Sequence, residues 1–213
     1  MIDSKQHEET RELHKVYTSD TPEQTAEIYD GWSEDYEKHM GSAGYTHPVM
    51  VASMFARHQP PGSEPILDAG AGTGLLGQLL IPLGYPNVTG FDASKGMLSI
   101  AVGKGIYQDL RYGLLGERLD YDDNAFAGAV AAGVFTQGHA PLDGLDELVR
   151  ITRPEGHIVF SIARTYLGDV FETKARELED AGKWRKAGAS GRYDSTPQST
   201  DTLLAQVFAF EVL

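Results

Sequence analysis

The chain has no cysteine among its 213 residues, which excludes disulfides and thiolate metal sites and leaves the compartment open. Its longest apolar run, Ala125 to Phe135, is far too short to cross a bilayer, so no membrane partner is expected. No leader with a basic end and an apolar centre is visible, so a soluble, cytoplasmic protein is expected. The histidines are scattered without an H-x-x-x-H pair, and no metal site is expected. Basic residues are few: 18 Lys and Arg against 31 Asp and Glu give a net charge of −13, which repels phosphate backbones, so no nucleic acid is expected as partner. Lys183, Arg185 and Lys186 form the one basic cluster and read as a solvated helix end and turn.

What is present is 41% apolar and 23% charged residues, enough for one well-filled domain. The chain is organised around Ile66 to Gly77. Ile66 and Leu67 end a short buried strand, and Pro65 suits its first position. Gly70, Gly72 and Gly74 then give a sharp turn without side chains, whose N–H groups can approach a ligand. Leu75, Leu76, Leu79 and Leu80 recur at helical spacing. Asp68 ends the strand where a positively charged cofactor group would sit. Val88 to Phe91 reads as the next strand, and Asp92 at its end is placed to accept both hydroxyls of an adenosine ribose.

Asp68, the glycines and Asp92 resemble the class I S-adenosylmethionine-dependent methyltransferases. That resemblance implies a glycine turn under the methionine part of the cofactor, Asp92 on the ribose and Met97 on the adenine face. A dinucleotide oxidoreductase is the nearest rival, because Gly72 to Gly77 also reads G-x-G-x-x-G with Asp92 further on. Asp68 favours the methyltransferase, since a carboxylate suits an aminoacyl and sulfonium group better than a pyrophosphate. A helical segment ahead of the first strand points the same way.

Residues 1–20 are polar and acid-rich and read as a flexible arm. Thr21-Pro22-Glu23-Gln24 reads as a capped helix start, with the helix running to about Tyr29. Tyr29-Asp-Gly-Trp32 to Tyr36 resembles the lid ahead of the core in small-molecule methyltransferases. Trp32 and Tyr36 are therefore expected at the cofactor, although an amphipathic helix burying one face would show the same spacing. Residues 21–47 are the expected lid and 48–213 the expected core, with a helix from Pro48 to His58.

A short helix follows Asp92, then Leu110, Tyr112 and Leu114 alternate as a third strand. Here the chain departs from the family it resembles, which often carries an acid where Leu114 stands, so the resemblance implies that adenine recognition falls to backbone near Leu115. Phe126 to Gly133 is a fourth strand so poor in bulk that a neighbour must pack close; Ala127 is a second departure. His139, in the loop beyond, matches a family His-x-Pro and is the candidate catalytic base. Arg153 to Gly156 reads as a turn before a fifth strand, His157 to Ala163, with Arg164 and Tyr166 as candidate substrate contacts. Leu167 to Gly182 is a helix, and Trp184 to Asp194 with Leu203 to Leu213 closes the sheet as an antiparallel hairpin. The chain's ending there leaves no room for an added substrate domain, which favours a small substrate.

The expected fold is thus α/β: a Rossmann-like doubly wound sheet of seven strands, mostly parallel with an antiparallel C-terminal strand, under an N-terminal helical lid. From Tyr29 to Trp184 the motifs, including Gly105-Ile-Tyr-Gln, are similar to the methyltransferase-like family of the Williams-Beuren syndrome region. The resemblance implies transfer of a methyl group from S-adenosyl-L-methionine to a small-molecule acceptor, leaving S-adenosyl-L-homocysteine. The residues expected at the cofactor are Trp32, Tyr36, Asp68, Gly70, Gly72, Asp92, Ala93, Met97, Leu115 and Gly133. A domain that binds cofactor or partner without catalysis remains the alternative, supported by Leu114 and Ala127.

Overall fold

The computed structural model describes residues 12–13, 15–16, 18–19, 21–136 and 138–213. Most of the expected arm, residues 1–20, lies outside them; within it, Val16 is fully buried.

Strands β1 (Ile66–Ala69), β2 (Val88–Asp92), β3 (Asp109–Tyr112), β4 (Phe126–Phe135) and β5 (Thr152–Ala163) run parallel. Strand β8 (Leu204–Val212) pairs antiparallel with β5 on one side and with β6 (Trp184–Ala189) on the other. The order is β3-β2-β1-β4-β5-β8-β6, and the two-residue β7 (Tyr193–Asp194) pairs with β8 to make an 8-stranded sheet. The expected sixth strand is split, since residues 190–192 interrupt the run from Trp184 to Asp194. Strand β5 starts earlier than its sequence suggests. Arg153 to Gly156 lies inside the strand as an irregularity opposite Phe126 and Gly128, with Glu155 at φ 67.

Alternation along the parallel strands splits the core between the two faces. Leu67, Ala129, Ile158 and Phe160 face α5 (Gly144–Ile151) and α6 (Asp169–Asp180), while Ile66, Val130 and Val159 face α2 (His47–His58) and α3 (Leu75–Leu80). The small residues of β4 have the expected consequence: a Cβ on Gly128 would lie 3.0 Å from the ring of Phe55 in α2. At the far edge Trp184 stacks on Phe210 at 3.9 Å between centroids, each ring worth about 1.5–3 kcal/mol of burial. The basic cluster beside it is used locally, with Arg185 paired to Glu211 at 2.8 Å and Lys186 over the Phe208 ring.

Helix α1 (Pro22–Ser42) begins where the sequence places it, the Thr21 side chain accepting from Gln24 N, but runs well past Tyr29. It lies against α4 (Lys95–Gly103). Oδ1 of Asp30 accepts from Ser94 Oγ at 2.6 Å and from Gly96 N at 2.8 Å, fastening α1 to the N-terminus of α4. Lys104 bridges Glu37 and Gln78 a turn further on.

Candidate active site

Strand order reverses around β1, and the carboxyl ends of β1, β2 and β4 open into a crevice there, where open α/β sheets take ligands. An open cleft fills this crevice beneath α1.

The glycine turn forms one wall. Gly72 stands at φ 55, and a Cβ built on it meets nothing within 4 Å, so the turn presents bare backbone to the cleft. Four of its amides are already bonded within the protein rather than free for a ligand. Gly70 N and Ala71 N both donate to Phe91 O at 2.9 Å, Gly74 N donates to Ala71 O, and Gly72 N donates to Asp92 Oδ2 at 2.8 Å. The tight turn directs these N–H groups inward, so it gives a ligand room rather than hydrogen bonds.

Asp92 holds this corner together. Besides Gly72 N it accepts from Ser94 N through Oδ1 at 2.8 Å. Burial pushes its carboxyl above the ordinary range, opposed by the N–H groups of Ser94, Gly72 and Ala93. A carboxylate has about four acceptor sites, so Asp92 keeps acceptor capacity for a ligand beyond these N–H groups. Ala93, Met97, Gly113, Leu114 and Leu115 continue the wall from Asp92, apolar except for backbone.

The opposite wall is aromatic. Tyr29 stacks on Trp32 at 6.0 Å, Trp32 meets Tyr36 edge-on at 5.0 Å, and Tyr36 meets Tyr45 edge-on at 6.5 Å. The Tyr29 hydroxyl lies 2.8 Å from His139 Nε2. Thr25 Oγ1 donates to Gly138 O, so α1 seats the loop that carries His139. On β4, a Cβ at Gly133 would collide with the Tyr45 hydroxyl, so glycine is required for that tyrosine to reach the cleft.

Of the residues expected from sequence, Tyr36, Gly70, Gly72, Asp92, Ala93, Met97, Leu115, Gly133 and His139 line one cleft. Trp32 and Asp68 do not. Trp32 is buried behind Tyr29 and Tyr36, its Nε1 donating to His39 Nδ1 at 2.8 Å. Asp68 is 1% exposed beneath the glycine turn. Tyr107 donates to its Oδ2 at 2.7 Å, while Oδ1 has no hydrogen-bond partner among the described residues. Burial raises this carboxyl to about 7, and the nearby Asp92 adds to the rise against the Tyr107 bond. Arg164 and Tyr166 are also absent from the lining of the cleft. Sequence reasoning missed Thr25, Tyr45, Tyr107 and the pairing of Tyr29 with His139. The one signal available was that Tyr29 and Tyr107 stand in stretches already matched to the family.

The methyltransferase domain family matches residues 67–160, the span from β1 through most of β5. Methyltransferase-like protein 27 of Homo sapiens is 32% identical over 169 residues, covering 76% of this chain and 68% of that protein. The chain belongs to the class I S-adenosylmethionine-dependent methyltransferases. Demethylmenaquinone methyltransferase of Chlorobaculum tepidum is 35% identical over 128 residues, 57% of this chain and 51% of that protein, so the chain spans about half its length. Among solved structures, a TehB-like S-adenosylmethionine-dependent methyltransferase from Corynebacterium glutamicum shares the fold at a TM-score of 0.61 and 22% identity, over 86% of this chain and 99% of that one. Family membership separates this glycine turn from the dinucleotide-binding version that its G-x-G-x-x-G spacing also matches.

Proposed function

We propose that the chain binds S-adenosylmethionine in the cleft and transfers its methyl group to a small-molecule acceptor. The observation that carries this reading is the meeting, in one cleft, of the bare glycine turn, Asp92, Met97 and the Tyr29–His139 pair.

The residues fit such a cofactor. The remaining acceptor capacity of Asp92 suits a ribose hydroxyl, and Met97, Leu114 and Leu115 give an apolar slot for a flat base. Leu114, where relatives often have an acid, leaves the base to packing and to backbone groups around Gly113 and Leu115. The bare turn at Gly72 leaves space for an aminoacyl chain, and the buried carboxyl of Asp68 lies one layer below it. When bound, S-adenosylmethionine supplies a methyl carbon already activated by a positively charged sulfur.

The chain's own part is to orient the acceptor, exclude water and manage a proton. The lid rings of Tyr29 and Tyr36 cover the cleft and are held down through Asp30. His139, oriented by the Tyr29 hydroxyl, is placed to take the proton of an acceptor hydroxyl. The net charge of −13 speaks for a small acceptor over a nucleic acid, and one relative is named for demethylmenaquinone.

The test is to incubate the protein with methyl-labelled S-adenosylmethionine and a cell extract separated into small molecules, protein and RNA. Label is expected in the small-molecule fraction. Label confined to protein or RNA would contradict the acceptor class.

A further inference from the structure

Two neighbouring residues of α1 reach two different sides of the cleft. Tyr29 meets His139 across 2.8 Å. Asp30 turns instead to the start of α4, where its Oδ1 accepts from Ser94 Oγ at 2.6 Å and from Gly96 N at 2.8 Å. Successive side chains on a helix point about 100° apart, so one turn of α1 holds both sides at once.

The Ser94 end of this contact belongs to the wall built around Asp92. Ser94 is 1% exposed. Its amide donates to Asp92 Oδ1 at 2.8 Å, and its hydroxyl donates to Asp30 while accepting from Met97 N at 3.1 Å. The other oxygen of Asp92 accepts from Gly72 N at 2.8 Å. A continuous run of hydrogen bonds therefore leads from Gly72 through Asp92 and Ser94 to Asp30, which is next in sequence to Tyr29.

Other contacts fasten α1 on either side of this point. Thr25 Oγ1 donates to Gly138 O towards one end of the helix, and Lys104 pairs with Glu37 towards the other. Asp30 adds a tie to one particular place, the residue whose amide orients Asp92.

We infer that Asp30 is a positioning residue: through Ser94 it ties the Tyr29–His139 pair to Asp92, so that a cofactor bound at Asp92 and the seating of α1 over the cleft favour each other. The inference rests on the cofactor reading of the cleft. Coupling of this kind is reciprocal. The factor by which bound cofactor favours the seated helix is the factor by which the seated helix raises cofactor affinity.

The experiment uses the full chain and measures S-adenosylhomocysteine affinity by calorimetry, with amide exchange followed in the presence and absence of that ligand. Wild type is titrated first; if it fails to bind, the cofactor reading falls and this inference with it. In wild type the ligand is expected to slow exchange both at residues 66–77 and across Pro22–Ser42. Asp30→Ala is expected to bind about fivefold more weakly, the small end of such couplings because Asp30 is exposed. It should also lose the ligand-induced slowing across Pro22–Ser42 while keeping it at residues 66–77. Ser94→Ala removes the hydroxyl and keeps the amide on Asp92; it is expected to lose the same slowing, and it decides the matter if Asp30→Ala does not fold. Asp30→Asn keeps an acceptor oxygen and is expected to restore the slowing, with affinity within about twofold of wild type. A purely structural Asp30 would change exchange in α1 equally with and without ligand. That result, wild-type affinity in Asp30→Ala, or Asp30→Asn as impaired as Asp30→Ala would each overturn the inference while leaving the cofactor reading in place.

Discussion

The Tyr107 hydroxyl reaches Asp68 through a slot that only glycine leaves open: a Cβ on Gly77 would lie 2.5 Å from that hydroxyl. Gly74 and Gly90 flank the same ring, each with a virtual Cβ 3.1 Å from it. Asp68 is therefore the floor of the glycine turn rather than part of the cleft's surface.

That floor has a pH signature. Burial raises the Asp68 carboxyl from 3.8 to about 7. Between these values the folded protein keeps a proton that the unfolded chain has lost, so stability contributed by this group falls as pH rises from about 4 to about 7. The full shift corresponds to on the order of 4 kcal/mol. Asp68→Asn should flatten this part of the curve, read as melting temperature against pH. Equal slopes in the two proteins would show that Asp68 does not titrate in this window.

Asp92 has two tasks that one substitution separates poorly and two measurements separate well. Asp92→Ala leaves Gly72 N and Ser94 N without their acceptor, costing about 1–3 kcal/mol of folding stability. It should also weaken S-adenosylhomocysteine by about 1–3 kcal/mol through unpaired ribose hydroxyls. Denaturant melts report the first loss and calorimetry on the folded variant the second. Unchanged affinity would remove Asp92 from the ribose.

Gly96 lets α1 and α4 approach closely. A Cβ there would lie 2.9 Å from Asp30 Cα, Asp30 O and Ser33 Oγ, two of them backbone atoms that cannot swing away. Gly96→Ala should push α1 off α4, costing about 1–3 kcal/mol and speeding amide exchange across Pro22–Ser42. Wild-type exchange rates in that helix would mean that the Asp30 latch does not hold it.

Tyr29 positions His139 from 2.8 Å. With an acceptor in hand, His139→Ala should cut turnover by about a hundredfold or more. Tyr29→Phe should shift the pH profile of kcat with little change in cofactor affinity. A profile unmoved in Tyr29→Phe would reduce that contact to packing.

The sheet was legible because its punctuation is strong: Pro65, the three glycines and Asp92 mark strand ends that the structure reproduces at Ile66–Ala69 and Val88–Asp92. Helix α1 runs past the expected end at Tyr29 and through Gly31, although an interior glycine costs about 1 kcal/mol. The Tyr29, Trp32 and Tyr36 contacts and the Asp30 latch override that local cost. Asp68 was placed at the right strand end, but which layer its carboxyl faces depends on Tyr107, 39 residues away. The turn amides were misjudged for the same reason, since Asp92 claims Gly72 N from the next strand.

The most direct test of the central claim is one calorimetry series on the purified protein with S-adenosylmethionine, S-adenosylhomocysteine and NAD. Binding of the first two at on the order of micromolar, corresponding to about 8 kcal/mol, with none for NAD, is the expected result. Binding of NAD, or of none of the three, would contradict it.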